Sequence, residues 1–199
     1  MQRIDHPLLS PSLGSHKTLS SFHFGQTGRG RKIYILASLH AEELPGMLVA
    51  HHLRALLESL EAAGQIQGEI VLVPVANPIG LAQRLDHKPM GRFELDTSEN
   101  FNRHYPDLAA AVESMVNNQL GDDALANVCL VRRAMNDYLQ TWTPATELQS
   151  LRRTLLLLAH DADFMLDLHC DCEGVLHFYT EEACWPHMHE LAHFLGAEA

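Results

Sequence analysis

Positive charge is scarce in this sequence. The 199 residues include 14 Lys and Arg against 25 Asp and Glu, which gives a formal net charge of -11. Proteins that bind nucleic acid or anionic membranes neutralise phosphates with clustered Lys and Arg, and no such cluster occurs here. The composition therefore argues against both kinds of partner and favours a small molecule as the ligand.

Long apolar runs and a disulfide pattern are also missing. No stretch approaches the roughly 20 apolar residues of a membrane span, and the first residues lack the basic start and apolar core of a signal peptide. The cysteines are Cys129, Cys170, Cys172 and Cys184, and their spacing includes no CxxC motif, as is typical of reduced thiols. We therefore expect a cytoplasmic protein without a membrane partner.

Hydrophobic periodicity predicts an α/β fold. An outer strand at 18–24 precedes an unbroken β-branched run at 33–39, which is typical of a strand buried on both faces. A helix at 45–63, whose apolar stripe we assign to the core, leads to a strand at 69–76, and together these elements form a βαβ unit. The other predicted elements are helices at 108–119, 122–139 and 144–158, the last with Thr143 as N-cap, strands at 164–169 and 174–180, and a helix at 184–195. The prediction is one domain with a mixed, largely parallel central sheet flanked by helices.

Two of the predicted strands deliver metal-ligand residues. The run at 33–39 is followed by His40 and, three residues later, by Glu43, and the run at 164–168 is followed by His169. Ligands of open α/β sheets gather where parallel strands end. Two histidines and one carboxylate, with a position left open, form the ligand set of a catalytic zinc, and Asp167 could orient an imidazole from outside it. The alternative is a pair of histidines that only make hydrogen bonds.

A second zinc motif competes with this set. His189 and His193 on the last predicted helix fit HExxH, with Glu190 in the position of the general base. That motif requires a third ligand, and the residue at the expected position of the extended motif is Ala199. We therefore favour ordinary packing for this helix.

A long irregular segment at 77–106 ends in Asn102 and Arg103. Long loops in compact domains are usually functional or mobile. An arginine beside an amide suits a carboxylate, because the guanidinium offers a planar fork of donors to two oxygens. The alternative is a solvated loop arginine.

These residues together resemble the aspartoacylase and succinylglutamate desuccinylase family of the zinc carboxypeptidase superfamily. Its H-x-x-E and D-x-H zinc motifs match His40–Glu43 and Asp167–His169, its strand-ending N-P matches Asn77–Pro78, and its N-R dipeptide matches Asn102–Arg103. The resemblance covers residues 33–180 and implies a zinc-carboxypeptidase-like fold. It also implies a zinc-dependent amide hydrolase, a deacylase that acts on an N-acyl amino acid or a similar amide bearing a carboxylate.

The resemblance implies roles for several arginines and reveals one missing residue. Arg103, with Asn102 and a second arginine, would hold the substrate carboxylate, and Arg92 is preferred over Arg84 as that second arginine. The family's general-base glutamate lies well downstream of the D-x-H histidine, so we expect it beyond Ala199. Residues 1–199 would then be one C-terminally truncated domain, the N-terminal catalytic portion without its last strands.

Two hypotheses follow from the missing base. The chain is either part of an enzyme that needs its last strands for turnover, or a short homologue that binds zinc or a carboxylate ligand without catalysis. A missing strand would also leave an unpaired sheet edge, along which two copies could associate into a homo-oligomer.

Overall fold

The computed structural model describes residues 1–10, 12–171 and 173–197. The chain divides into two compact units, Met1–His169 and Cys170–Ala199. The first unit contains the central sheet, and the second contains a short 3-10 helix at Glu182–Cys184 followed by an α-helix. The single domain expected over residues 1–199 stays a prediction.

A five-stranded mixed sheet organises the first unit. The strands of the chain are β1 (Gln2–Pro7), β2 (Thr18–Gly25), β3 (Lys32–Ala37), β4 (Glu69–Val73), β5 (Arg84–Leu85), β6 (Lys88–Pro89) and β7 (Phe164–Leu168). Their order in the central sheet is β1-β2-β4-β3-β7, and β5 and β6 form a separate hairpin. β3 pairs in parallel with β4 and β7, whereas β2 pairs antiparallel with β1 and β4.

Both units contain α-helices. They are α1 (Leu44–Ala62), α2 (Pro78–Ala82), α3 (Leu108–Val116), α4 (Ala124–Thr141), α5 (Glu147–Ala159) and, in the second unit, α6 (Trp185–Leu195). None of the described helices is long and apolar enough to cross a bilayer.

Strand β3 is buried on both faces because its side chains alternate between two cores. Tyr34 lies in one apolar cluster with Leu151 of α5, and Ile35 lies in another with Leu57 of α1. With both faces covered, the residues that follow β3 emerge at the edge of the sheet. This arrangement places His40 where the sequence pattern predicts it.

The mixed α/β fold with flanking helices is confirmed. Parallel pairing is confined to β4, β3 and β7, because β2 and the unpredicted β1 add antiparallel pairings on the other side. Strand β1 carries no apolar stripe and exposes most of its residues, so periodicity alone gives no signal for it.

The predicted start of one helix is wrong, and one predicted strand does not form. Helix α5 begins at Glu147 and its N-cap is Thr146, not Thr143, because the Thr146 hydroxyl accepts the backbone N–H of Gln149 at 3.1 Å. Residues 174–180 form no strand in the described structure, and the apolar side chains of Val175 and Leu176 are 68% and 58% exposed. Most of that segment is therefore exposed, and Phe178 is partly buried.

The predicted burial of two elements is also wrong in part. On α1, Leu48 and Leu56 are exposed, whereas the buried positions include Gly46 and Ala50. Small residues face the sheet there because the helix approaches it closely; a Cβ on Gly46 would lie 2.9 Å from the carbonyl oxygen of Leu168. β7 pairs only with β3 among the described strands, and Met165 is about half exposed, so β7 is an edge strand.

A polar chain links the two antiparallel strands β1 and β2. The buried Ser21 hydroxyl lies 2.8 Å from His6 Nε2 and 2.8 Å from His23 Nε2. Burial lowers the pKa of His6, and repulsion from His23 lowers it further, while Asp5 opposes the shift. Burial likewise lowers the pKa of His23; Glu69 opposes this shift and Lys32 adds to it.

This pair of histidines predicts a loss of stability in mild acid. Because both folded-state pKa values lie below the ordinary 6.5, the unfolded chain binds more protons than the folded chain in this range. The contribution is complete above pH 6.5 and is lost as the pH falls through the lowered folded pKa values. We expect the urea midpoint to fall between about pH 7.5 and about pH 5, and to fall less in His6→Gln.

A matched histidine controls for general acid effects. His16 lies exposed in the loop between β1 and β2, and His16→Gln should retain the wild-type dependence on pH. An unchanged pH dependence in His6→Gln would contradict the assignment.

Candidate metal centre

The first two candidate ligands lie in a tight turn between β3 and α1. After β3 the buried Ser38 adopts a left-handed conformation with φ 63°, which turns the chain toward His40. The backbone N–H of Glu43 then donates to the carbonyl oxygen of His40 at 3.0 Å, and α1 begins at the next residue. The H-x-x-E spacing thus brings both side chains to one side of a single turn.

Asn77, the first residue of the N-P pair, anchors this turn through two side-chain hydrogen bonds. Its side-chain Nδ2 donates to the carbonyl oxygen of Leu39 at 2.9 Å, and its Oδ1 accepts the backbone N–H of Gly80 at 2.8 Å. Asn77 is fully buried, so it has no solvent alternative for these hydrogen bonds. The motif therefore fixes the backbone immediately before His40.

Three predicted ligands converge across the parallel pair β3 and β7. Nδ1 of His40 lies 2.9 Å from Oε1 of Glu43, and Nδ1 of His169 lies 2.8 Å from Oε2 of the same carboxylate. The two imidazole centroids are 5.0 Å apart. His40 and Glu43 are buried, whereas the His169 side chain is 32% exposed, which leaves the cluster accessible from one side.

Each imidazole is held through its other nitrogen. Nε2 of His40 lies 2.9 Å from Oδ1 of Asn100, an oxygen that already accepts the backbone N–H of Asn102 at 2.8 Å. Nε2 of His169 lies 2.8 Å from Oδ2 of Asp167. Because both partners accept hydrogen bonds, an Nε2–H tautomer of each ring leaves Nδ1, which lies on the side of Glu43, as the atom able to bind a metal.

This donor set fits a divalent cation. The two Nδ1 atoms lie 2.9 and 2.8 Å from the oxygens of Glu43, and so short a spacing requires either a proton or a metal ion between nitrogen and oxygen. One ligand atom from each of the three residues lies within 4.8 Å of the others, as a shared ion requires. Two imidazoles and a carboxylate suit zinc, and Asn100 and Asp167 are the outer hydrogen-bond partners that such histidines normally have.

Without a metal ion, a proton on His169 can lie between the imidazole and the neighbouring carboxylates. The hydrogen bond that His169 donates to Asp167 raises the pKa of His169, burial opposes this shift, and Glu43 raises the pKa further. Glu43, the candidate ligand, and Asp167, its outer hydrogen-bond partner, therefore both favour the imidazolium form of His169.

Arg92 and Glu42 lie beside the cluster. Nη2 of Arg92 donates to Oε1 of Glu43 at 2.7 Å, and its Nε lies 3.4 Å from Oε1 of Glu42. The other oxygen of Glu42 accepts the backbone N–H of Gly91 at 2.9 Å. The Arg92 side chain remains 38% exposed, so a guanidinium lies at the open side of the site.

The structure places the other predicted substrate residues at different distances from this cluster. Nδ2 of Asn102 lies 3.4 Å from Nε2 of His169, so Asn102 borders the site. Arg103 is exposed and donates to the carbonyl oxygen of Asn102 at 2.7 Å. Arg84 donates to the carbonyl oxygens of Leu81 in α2 and of Gln83 just before the hairpin, and it lines a small cavity with Glu42.

Sequence reasoning missed three residues of this site, namely Asn100, Glu42 and Gly91. Asn100 stands two residues before the N-R dipeptide, so an N-x-N-R pattern was its only signal. Glu42 and Gly91 act through a hydrogen bond from the Gly91 backbone N–H to the Glu42 carboxylate, which joins segments far apart in the chain, and a single sequence gives no signal for it.

Within the described parts of the chain, His40, Glu43 and His169 are the one group of three ligand residues that could hold a metal ion. The HExxH pair on α6 therefore lacks a third protein ligand among those residues.

A family model for the succinylglutamate desuccinylase/aspartoacylase catalytic domain matches residues 29–198. The chain belongs to this family. The match includes both halves of the metal cluster, the N-P pair and the N-R dipeptide. The family resemblance given by the motifs is thus confirmed.

Solved structures of the same family share the fold. A succinylglutamate desuccinylase/aspartoacylase family protein from Shewanella amazonensis SB2B is 30% identical with a TM-score of 0.71, over 86% of this chain and 47% of that one. A second, from Shewanella frigidimarina NCIMB 400, is 25% identical with a TM-score of 0.70, over 85% and 46%. The chain thus spans about half the length of these family members. The search of curated proteins found no match.

Proposed function

We propose that this chain is the metal-binding portion of a zinc-dependent deacylase that hydrolyses an N-acyl amino acid or a similar amide bearing a carboxylate. The observation that carries the proposal is the convergence of two Nδ1 atoms on the two oxygens of Glu43. Deacylase chemistry comes from the family, and the metal and substrate class from the donor set and its neighbouring arginines.

His40, Glu43 and His169 would hold the zinc ion. When bound, zinc supplies Lewis-acid polarisation of a carbonyl group and of water. Asn100 and Asp167 would keep both Nδ1 atoms available by accepting hydrogen bonds from Nε2–H of the two rings. These hydrogen bonds orient the rings before a metal arrives, which lowers the entropy lost on binding.

The arginines would bind the substrate carboxylate. Arg92 is anchored to Glu43 and has an exposed side, and Asn102 brings Arg103 close to His169 along the chain. A bidentate arginine can fix the position of a carboxylate and so place the scissile amide beside the metal.

The general base is proposed to lie outside the chain. Among the carboxylates described around the cluster, Glu42 is engaged by Gly91 and Arg92, and Asp167 is engaged by His169. A base must reach its water within hydrogen-bond distance and be free to accept a proton. Following the family, we propose a glutamate beyond Ala199, in a protein of about the length of its solved relatives.

The test compares this chain with a longer protein that includes the following segment. Zinc content is measured for both, and hydrolysis is measured with N-acylated amino acids that include N-acetylaspartate and N-succinylglutamate. The proposal expects about one tightly bound zinc in each and zinc-dependent hydrolysis by the longer protein, which a chelator removes. Zinc binding without hydrolysis by the longer protein would favour the second candidate, a non-catalytic zinc- or carboxylate-binding module.

Arg103→Lys is expected to weaken substrate binding in the longer protein. Lysine retains the charge but loses the planar fork, so KM should rise by about 10- to 100-fold, the usual value of a hydrogen bond to a charged group. Steady-state kinetics with the best substrate measures the change. Arg133→Lys, at an exposed position of α4, should leave KM unaltered, and an equal KM in both variants would remove Arg103 from the site.

We further propose a cytoplasmic protein that uses a small-molecule substrate and binds neither nucleic acid nor membranes, in line with the net charge of -11. We also propose that two copies of residues 1–199, without the following segment, can associate along the edge strand β7, where Met165 is 52% exposed. Sedimentation of wild type and Met165→Lys tests this point, because a lysine on an edge strand opposes pairing. Monomeric wild-type protein at all concentrations would refute self-association.

A further inference from the structure

We propose that His189 and His193 on α6 form a second metal site, a two-histidine chelate for borderline divalent cations such as Cu²⁺, Ni²⁺ and Zn²⁺. The site uses none of the residues of the His40 cluster and does not depend on the function proposed above. It would bind a metal ion without the third ligand and the catalytic geometry of an HExxH peptidase.

The two histidines lie four residues apart on a regular helix, which places them on one face. α6 runs from Trp185 to Leu195, and residues four apart on a helix have Cβ atoms about 5–6 Å apart on one face. The structure demonstrates this contact one turn earlier, where the rings of Trp185 and His189 meet edge-on at 5.4 Å between centroids. His193 follows His189 by the same four residues, and its ring lies beside Phe194 at 6.3 Å between centroids, so a rotation of the exposed side chains would bring the two imidazoles to one ion.

Both histidines are accessible to an ion from solvent. On α6, Met188 and Ala192 are buried, with 9% and 6% of their surface exposed. His189 and His193 each follow one of these residues and are exposed on the same side of the helix. Water can complete the coordination of an ion there. Imidazole ligands suit zinc, copper and nickel, whereas magnesium and calcium prefer oxygen, so the site should select the former.

The end of the helix adds an electrostatic contribution. His193 lies in the last turn of α6, which closes at Gly196 in a left-handed conformation with φ 66°. The backbone N–H of Gly196 donates to the carbonyl oxygen of His193 at 3.0 Å. A cation near a helix C-terminus is favoured by the helix dipole, and the net charge of -11 acts in the same direction.

Titration of the chain with Ni²⁺, followed by calorimetry, tests the proposal. Wild type should bind two ions, a tight one and a weaker one. His189→Ala and His193→Ala should each lower affinity for the weaker ion by at least about tenfold, since even outer partners of metal ligands contribute that much. His40→Ala should remove the tight ion and leave the weaker one.

His187 supplies the matched control on the same helix. It is exposed, but it has no histidine three or four residues away, so His187→Ala should retain both ions. Alanine is the best helix former, and far-UV circular dichroism verifies that α6 persists in all variants. Unchanged affinity in His189→Ala and His193→Ala, or an equal loss in His187→Ala, would overturn the site whatever His40→Ala does.

Discussion

Glu43→Gln is expected to lower zinc affinity by at least about 100-fold, because it removes the charge that both imidazoles share. Outer-shell changes alone reduce metal affinity by about 10–100-fold, and Glu43 contacts both Nδ1 atoms directly. The amide also replaces one carboxylate oxygen by an NH₂ group. That group donates hydrogen bonds, as Arg92 does, and cannot bind a metal ion. Competition with a zinc-sensitive dye measures the affinity.

The neighbouring Glu42→Gln makes a matched control. It is the same substitution one residue earlier, at a carboxylate that holds Gly91 and Arg92 and contacts neither histidine. A glutamine oxygen can still accept the N–H of Gly91, so zinc affinity should stay close to that of wild type. If both variants bound zinc equally well, Glu43 would not be a ligand.

Gly91→Ala is expected to destabilise the protein by about 3 kcal/mol or more, at or above the upper end of overpacking substitutions. A Cβ at residue 91 would lie 2.2 Å from the backbone nitrogen of Glu42 and 2.7 Å from the carbonyl carbon of Ala41. Both obstacles are backbone atoms, which cannot rotate away as a side chain can. Relief must displace the turn between His40 and Glu43, so zinc affinity should fall together with stability.

Gly121→Ala separates this clash from the general effect of replacing glycine. A Cβ there meets no atom within 4 Å, so the stability should change by no more than about 0.5 kcal/mol. Urea unfolding of both variants provides the comparison. Equal midpoints for Gly91→Ala and Gly121→Ala would show that the loop at Gly91 can move away without loss.

The candidate ligand residues could be selected from the sequence. An apolar run is a local signal for a buried strand, and residue types at its end indicate the chemistry available there, so His40, Glu43 and His169 could be selected together. The contacts that give these residues their geometry were not predictable. Asn100 lies 60 residues from His40, and Glu43 lies 126 residues from His169, and no local pattern specifies which atoms meet.

Burial shows the same division. The helical period of α1 was visible in the sequence, but the face that packs on the sheet is the one with Gly46 and Ala50, because close approach requires small residues. Leu48 has the stronger apolar character and is nevertheless exposed. Periodicity identifies a helix, whereas the shape of the opposing surface decides which side it buries.

The sequence by itself determined the family, the mixed α/β class and the identity of the candidate ligands, because motif order, apolar period and side-chain chemistry are properties of short segments. Only the tertiary structure decided that both histidines turn Nδ1 toward Glu43, that Arg92 is paired with that carboxylate, and that β1 extends the sheet. Each of these depends on pairings between distant segments, whose energies come from burial and hydrogen-bond geometry in the assembled fold.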